Sequence, residues 1–181
     1  DMTCANNQSA SVTNTASKNT SIESHVCAMA KSGSAAKSAA DVREALRDWH
    51  TPAQNVVFAD KENIGYVMAG VVPIRAKGSG LVPVPGWTGE WEWTGWVPFE
   101  ELPQAWNPPA GYIATANNKV VGKDYKHHIS WDYMNGYRVG RIEQLLRERA
   151  RLTWEDCRDI QRDVFTQAGR DFSRAVAPRL A

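Results

Sequence analysis

The sequence contains little cysteine and no long hydrophobic run. Its three cysteines, Cys4, Cys27 and Cys157, leave at least one thiol unpaired and show neither CxxC spacing nor a local Cys/His cluster. No segment approaches the roughly 18 apolar residues of a membrane-spanning helix, and no basic N-terminal segment followed by an apolar one indicates a signal peptide. These absences argue against a metal centre and a membrane partner, and they leave the compartment open.

An excess of charge of either sign is also absent. The net charge is +1, and it is spread through mixed-sign stretches such as Arg138–Arg162, so no basic face indicates a nucleic-acid partner. The chain lacks a GxSxG elbow, an HExxH motif and a phosphate loop, which excludes the enzyme classes that depend on them. With 43% hydrophobic and 23% charged residues, the 181-residue chain has the composition of a globular domain.

The pattern of the chain changes near residue 38. Residues 1–37 are rich in Ser, Thr, Asn and Ala and resemble a loosely ordered leader, whereas residues 38–181 show the periodicity of a folded segment. Ser38 and Asp41 have the spacing of a capping box, and the apolar residues that follow predict a helix of about three turns ended by Pro52. Those apolar residues are Val42, Ala45, Leu46 and Trp49.

The middle of the chain reads mainly as strands. Asn55–Asp60 and Ile64–Gly70 predict a hairpin, and Pro73–Gly89, which is punctuated by Gly and Pro, predicts a long ordered loop. Tyr112–Thr115, after the NPPAG turn, predicts a further strand. The Trp-rich run, Pro83–Leu102, alternates aromatic and polar residues, which is typical of a strand with aromatic side chains on one face.

Two amphipathic helices are predicted towards the end of the chain. Val139, Ile142, Leu145 and Leu146 mark the first, which has a charged outer face. Thr153 and Asp156 form a second capping box, which begins another helix. The inner face of that helix is predicted to consist of Trp154, Cys157, Ile160, Val164 and Ala168. The fold class is therefore α+β, with a mainly antiparallel sheet packed by helices.

The tryptophans of the Trp-rich run admit two interpretations. Buried packing is the default, because aromatic side chains bury large areas and favour strands. An exposed platform for a glycan or a Pro-rich peptide is the alternative. The residues concerned are Trp87, Trp91, Trp93 and Trp96, and exposure of several of them would favour the second interpretation.

Other chemically suggestive groups have simpler explanations. Adjacent residues of an extended segment point to opposite faces, so His127 and His128 cannot easily serve one site and are expected to be ordinary solvent-facing histidines. The carboxylate pairs Glu90/Glu92 and Glu100/Glu101 could suggest glycoside hydrolysis, but a solvated sheet face and a helix start account for them.

The two adjacent amides Asn117 and Asn118 end the GYIATANN segment. They could simply form a strand-terminating turn, because Asn tolerates left-handed backbone angles. Alternatively, a rigidly held amide N–H at a strand end could stabilise the oxyanion of a tetrahedral intermediate, since an amide donates without titrating. The residues alone leave both interpretations open.

Five segments occur in a fixed order along the chain. They are QNVVFADKENIGYVMAG (Gln54–Gly70), PVPGWTGEWEWTGWVPFEELP (Pro83–Pro103), NPPAGYIATANN (Asn107–Asn118), YRVGRIEQLL (Tyr137–Leu146) and LTWEDCRDIQRDV (Leu152–Val164). Together they resemble the penicillin acylase (penicillin amidase) family of N-terminal-nucleophile hydrolases. The resemblance covers about residues 36–172, does not extend to residues 1–35, and implies an internal portion of the large chain of an αββα sandwich.

The resemblance implies roles for four residues of this sequence. Asn117 corresponds to the family's oxyanion-hole amide, and Arg138 lies beside it and helps to hold the polar network of the site. Arg141 fits better as a surface residue. Gln54 and Asn55 fall where the family lines the pocket for the acyl side chain.

The resemblance also implies an enzyme made as a precursor and cleaved into two chains. The nucleophile, a Ser or sometimes Cys or Thr at the start of the larger chain, would lie outside this chain, because Asp1 cannot replace it. The expected partners are an N-acyl amide such as a β-lactam or an acyl-homoserine lactone, together with the remaining acylase portions, and the expected location is periplasmic or secreted. No cofactor is required; a structural Ca²⁺ near Gly80 is implied, although the KHHIS stretch does not match its carboxylate.

Overall fold

The computed structural model describes residues 36–180, so the predicted leader lies almost entirely outside the described residues. Four α-helices and five strands make up the described part. In chain order they are α1 (Ala39–Ala45), β1 (Gln54–Ala59), β2 (Ile64–Ala69), β3 (Pro73–Arg75), β4 (Trp93–Trp96), β5 (Gln104–Trp106), α2 (Tyr137–Arg147), α3 (Trp154–Gln161) and α4 (Gln167–Val176). Among these residues, no helix combines the length and the apolar character needed to cross a lipid bilayer.

Helix α1 begins where the sequence predicts and continues as a 3₁₀ turn to Asp48. The Ser38 hydroxyl accepts a hydrogen bond from the Asp41 backbone N–H at 3.2 Å. The reciprocal half of the predicted capping box is different, because the Asp41 carboxylate accepts from the backbone N–H of Lys37 at 2.8 Å. Leu46 on the inner face is 1% exposed and packs on the first sheet, which joins α1 to the strands.

The first sheet has three antiparallel strands in the order β1-β2-β5. The predicted hairpin is confirmed: β1 and β2 pair from Gln54 opposite Ala69 to Ala59 opposite Ile64. The Asp60 carboxylate closes the turn by accepting backbone hydrogen bonds from Glu62 at 2.8 Å and Asn63 at 2.7 Å. It also accepts from the N–H of Ala39 at 2.9 Å, which ties the start of α1 to the hairpin turn.

The second sheet consists of β3 and β4 and corrects two predictions. The predicted loop Pro73–Gly89 contains strand β3, which pairs antiparallel with β4. The predicted Trp strand is limited to Trp93–Trp96, because residues 86–88 form a 3₁₀ turn that ends at Gly89 with φ 69°. A residue with left-handed backbone angles breaks the alternation of a strand, so Trp87 lies outside the strand that contains Trp93 and Trp96.

The predicted strand Tyr112–Thr115 is wrong for the described residues, in which that segment pairs with no other strand. The third strand beside β2 is instead β5, with Tyr66 opposite Ala105. A period-two pattern predicts an extended backbone, but strand formation also requires a neighbour, which the pattern does not specify.

Both predicted C-terminal helices are present. Helix α2 carries the expected apolar face, and the capping box of α3 is complete, with Thr153 Oγ1 accepting from Asp156 N–H and the Asp156 carboxylate accepting from Thr153 N–H. The predicted inner face of α3 is wrong at both ends, because Trp154 is 59% exposed and the helix ends at Gln161. Val164 is 95% exposed in the connector to α4, and Ala168 belongs to α4.

Candidate functional site

Asn117 lies at a sharp change of backbone direction. Its φ is 59°, so it has the left-handed conformation that the turn interpretation requires. The backbone is fixed on both sides: Ala116 N–H donates to Asn118 Oδ1 at 2.9 Å, and Met134 N–H donates to the Asn117 carbonyl at 2.8 Å. Two hydrogen bonds therefore hold the backbone of the turn, one on each side of Asn117.

The Arg138 guanidinium contacts two acceptors at this turn. Its Nη2 donates to the Ala116 carbonyl and to Asn117 Oδ1, each at 2.8 Å. Arginine has donors and no acceptor, so the oxygen of the Asn117 amide must face Arg138 and its NH₂ group must face away. Within residues 36–180, this NH₂ group donates to no protein acceptor. The result is a neutral donor whose direction is set by an arginine.

Helix α2 presents Arg138 to the turn. Arg138 is in the first turn of the helix, and the next inward residues, Ile142 and Leu146, are 9% and 6% exposed. They pack with Ala116, which is 3% exposed, so the apolar face of the helix and the segment before Asn117 form one cluster. Burial of this apolar face places the guanidinium beside the amide.

Arg141 is not a simple surface residue, which corrects the prediction. Its Nε and Nη2 donate to the two carboxylate oxygens of Asp163 at 3.0 and 2.8 Å, and its guanidinium stacks over the Phe165 ring at 4.7 Å. The side chains of Arg141 and Asp163 are only 20% and 22% exposed. The guanidinium lowers the pKa of the Asp163 carboxyl. No sequence signal pointed to this pair, because its members are 22 residues apart and belong to different elements.

Gln54 and Asn55, the predicted pocket residues, lie together at the start of β1. Asn55 Oδ1 accepts a hydrogen bond from the Tyr66 hydroxyl at 2.6 Å. Burial raises the pKa of Tyr66, which keeps this hydroxyl protonated as a donor. Tyr66 also lines a cleft of about 240 Å³ that reaches Asn118, so Asn55 is connected to the turn through Tyr66. Gln54 is half-buried and does not line this cleft.

His127 is also more buried than predicted. Its Nε2 lies 2.6 Å from Glu101 Oε2, and its side chain is 16% exposed, so the solvent-facing interpretation is wrong for this residue. His128 makes a different contact, with the ring of Trp131 at 4.9 Å between centroids. Hydrogen bonds from Lys126 and His127 lower the pKa of Glu101. Glu100 and Glu101 lie in a 3₁₀ turn and are ion-paired, with Arg47 and Lys126 respectively.

The loop around Gly80 is where the family resemblance implies a calcium ligand. Gly80 has φ 79°, and the guanidinium of Arg75 lies about 3.1 Å from the position of an added Cβ, so a cation rather than a carboxylate borders the loop. The described part of the chain has no group of three His, Cys, Asp or Glu residues that could hold a metal. Because Ca²⁺ binds through several oxygen ligands, these residues do not fit a calcium site by themselves.

Three of the four tryptophans of the Trp-rich run are exposed. Trp87 is 89%, Trp93 58% and Trp96 50% exposed, and Trp91 is half-buried. Trp93 and Trp96 meet edge to face, with centroids 5.4 Å apart and an interplanar angle of 68°. The default of buried packing is therefore wrong for most of this run.

The helices and antiparallel sheets define an α+β fold, and the comparisons with known proteins place this fold in the N-terminal-nucleophile class. The solved thermostable penicillin G acylase from Alcaligenes faecalis is similar, with a TM-score of 0.58 and 27% identity over 69% of this chain and 22% of that chain. The sequence model described as penicillin amidase matches residues 7–180, beyond both ends of the resemblance noted above. The chain belongs to the penicillin amidase family.

Two relatives support the same class of amide-hydrolysing acylases. The chain is 36% identical over 132 residues to the penicillin acylase 2 proenzyme of Pseudomonas sp. (strain SE83), which is 72% of this chain and 17% of that protein. It is 39% identical over 102 residues to an acyl-homoserine lactone acylase of Pseudomonas fluorescens, which is 56% of this chain and 13% of that protein. The chain thus spans less than a fifth of these relatives.

Proposed function

We propose that Asn117 supplies one oxyanion-hole donor of an acylase that hydrolyses N-acyl amides. The observation that carries this proposal is the contact of Arg138 with Asn117 Oδ1, which leaves the amide NH₂ directed away from the guanidinium. When a nucleophile attacks the substrate carbonyl, the C=O electron pair moves to oxygen, and the Asn117 N–H donates to that oxyanion. Collapse of the intermediate breaks the C–N bond and releases the amine, and water then hydrolyses the acyl-enzyme.

The amide suits this role for electrostatic reasons. A donor that is already oriented needs no reorganisation when the charge develops, and a neutral group stays the same across the working pH range. In this proposal Arg138 acts as the orienting residue, because its rigid fork holds both the Asn117 side chain and the preceding carbonyl. The positive charge of Arg138 also favours negative charge near the turn.

The substrate class rests on the relatives, whose names specify penicillin and acyl-homoserine lactone. Both are N-acyl amides, so the shared chemistry is cleavage of an acyl group from an amine. We further propose that Gln54 and Asn55 line the acyl pocket, where Asn55 is held by the Tyr66 hydroxyl. A polar residue there would disfavour a purely apolar acyl group unless its amide finds a partner.

The nucleophile and the second oxyanion donor are proposed to come from other acylase portions. The chain spans 17% of the penicillin acylase relative, which leaves most of such an enzyme to be supplied elsewhere. The chain alone is expected to be inactive and to regain turnover when it is combined with the remaining portions. Intact mass spectrometry of the native protein is expected to show a larger precursor or a second chain. Cell fractionation would test the proposed periplasmic or secreted location.

Asn117→Gly is the sharpest test of the oxyanion role. Glycine tolerates the left-handed φ of 59°, so this variant removes the amide without adding backbone strain. In the assembled acylase, kcat is expected to fall by on the order of 100-fold or more with little change in KM. Asn107→Gly is the matched control, because Asn107 has φ 44° and caps the first sheet. Unchanged turnover in Asn117→Gly would contradict the oxyanion role of Asn117.

A second candidate function is favoured by the exposed tryptophans. The exposed pair of Trp93 and Trp96 could bind a glycan or peptide as a non-catalytic module. The edge-to-face arrangement of Trp93 and Trp96 does not offer two coplanar rings for sugar stacking, so a protein partner fits this surface better. Titration of tryptophan fluorescence distinguishes a protein partner from a glycan. Quenching by the remaining acylase portions alone supports an assembly surface. Quenching by a glycan supports the binding module.

A further inference from the structure

We propose that Arg141 and Asp163 are positioning residues for Asn117, acting through the first turn of α2. This inference rests on the proposed function of Asn117 and goes beyond it, because neither residue touches the amide. The pair joins α2 to the connector between α3 and α4, in which Asp163 lies two residues after the end of α3. Asp163 is therefore linked to the Asn117 amide in three steps. Asp163 pairs with Arg141, the first turn of α2 joins Arg141 to Arg138, and Arg138 contacts Asn117.

The first turn of α2 has no side-chain cap and needs another contact to hold it in place. Its N-cap residue, Gly136, has no side chain to accept the hydrogen bonds of the free helix N–H groups. The nearest substitute is a long hydrogen bond of 3.3 Å from Tyr137 N–H to Asn135 Oδ1. Uncapped helix ends fray, yet Arg138 in this turn must hold two acceptors at 2.8 Å.

The ion pair of Arg141 and Asp163 supplies the missing constraint. A bidentate pair fixes both the distance and the plane of the guanidinium, unlike a single contact. Asp163 is itself held, because its Oδ1 also accepts from the Phe165 N–H at 3.3 Å and its own N–H donates to the Ile160 carbonyl at 3.2 Å. The Phe165 ring covers the Arg141 guanidinium, so the pair is partly shielded from water.

The two arginines are close neighbours on one helix. Residues three positions apart lie on the same face, and Arg138 and Arg141 line one cleft of about 220 Å³ together with Asp163. Asp163 neutralises Arg141 and holds its fork, so Arg138 alone points its donors at Asn117. Without Asp163, Arg141 would be a second cation beside Arg138, and like charges at this spacing repel.

Loss of the pair should therefore act on turnover rather than on substrate binding. A donor that is displaced from the oxyanion loses an interaction made in the transition state, which lowers kcat and leaves KM nearly unchanged. Displacements well below 1 Å are sufficient for such an effect.

The test uses Asp163→Asn and Arg141→Lys in the acylase assembled from this chain and its remaining portions. Each variant is expected to lower kcat about tenfold with KM unchanged. The control is Glu143→Gln, which breaks an exposed ion pair with Arg147 on the same helix and should leave kcat unchanged. In the Asn117→Gly background, Asp163→Asn should cause no further loss of kcat, because the ion pair acts only through the Asn117 amide, which this variant lacks.

The outcomes separate this inference from the proposed function. An effect of Asn117→Gly with wild-type kcat in both pair variants overturns the inference alone. No effect of Asn117→Gly overturns the proposed function. Multiplicative losses in the double variant also overturn the inference, because they show that the pair acts independently of Asn117.

A second readout does not depend on activity. In the ¹⁵N-labelled acylase, the side-chain NH₂ resonance of Asn117 should broaden or shift in Asp163→Asn and stay unchanged in Glu143→Gln. If Asp163→Asn fails to fold, the more conservative Arg141→Lys keeps the charge and the same prediction applies. An Asn117 resonance that is identical in wild type and Arg141→Lys contradicts the positioning role.

Discussion

The two sheets of this chain differ in how completely they are covered. The three-stranded sheet lies under α1, and Leu46, Val67 and Ala69 at that interface are at most 1% exposed. In the two-stranded sheet, only the flanking residues Val72 and Val97 reach the core. The difference teaches that residues 39–69 form their own core, whereas the Trp-rich run presents apolar surface that residues 36–180 leave open.

The largest expected effect follows from this difference in coverage. Leu46→Ala should lower the free energy of unfolding by about 2–5 kcal/mol, because it removes a buried side chain and leaves a cavity. Trp96→Ala should cost much less, since Trp96 is 50% exposed and its ring contact with Trp93 is worth about 0.5–1.5 kcal/mol. Chemical denaturation monitored by far-UV circular dichroism measures both. Equal losses would show that the two sheets do not differ in this way.

Two glycines, one in each sheet, test the same contrast with a single methyl group. An added Cβ at Gly65 in β2 would overlap the ring of buried Phe58, whereas an added Cβ at Gly95 in β4 meets nothing within 4 Å. Gly65→Ala should therefore destabilise by about 1–3 kcal/mol through overpacking. Gly95→Ala should be neutral or slightly stabilising, because it reduces the freedom of the unfolded chain. Thermal melts of the two variants provide the comparison, and a Gly95→Ala loss as large as that of Gly65→Ala would contradict it.

The smallest expected effect concerns pH. Backbone hydrogen bonds, first from Ala39 and then from Glu62 and Asn63, lower the pKa of Asp60. A lowered pKa means that this stabilisation is present above the unfolded-state pKa, about 3.9, and is lost as the pH falls through the folded-state pKa. Asp60→Asn should thus destabilise more at pH 7 than at pH 3 in urea titrations.

The control for this pH effect lies in the Trp-rich run. Glu90 has an exposed ion pair with Lys77 at 3.5 Å, and exposed pairs contribute little. Glu90→Gln should therefore match wild type at both pH values. A loss in Asp60→Asn that is the same at pH 7 and pH 3 would show that the Asp60 charge is not the stabilising element.

Local features of the fold were predictable from the sequence. The β1–β2 hairpin and the Thr153–Asp156 capping box follow from residues close together in the chain, and the structure confirms both. Non-local features were not predictable in this way. The β3–β4 pairing joins residues about 20 positions apart, and the Tyr112–Thr115 pattern predicted an extended segment without specifying a neighbour.

The same distinction between local and non-local features applies to the candidate site. The proximity of Asn117 and Arg138 was expected from the family resemblance rather than from any spacing rule, and their contact is present, although their catalytic roles stay predictions. The contacts of Arg141 with Asp163 and of His127 with Glu101 were missed, because each pairs residues that are 22 or more positions apart. Side-chain pairing across elements depends on packing angles, which a hydrophobic pattern leaves undetermined.

Arg138 donates hydrogen bonds to the Ala116 carbonyl and to the Asn117 side chain. The first bond attaches the helix to the backbone of the turn, and only the second depends on the side chain at position 117. The backbone oxygen is present whichever residue occupies position 117. The helix can therefore remain docked while the side chain at that position changes during divergence. A helix attached in this way lets position 117 be replaced without the loss of the fold.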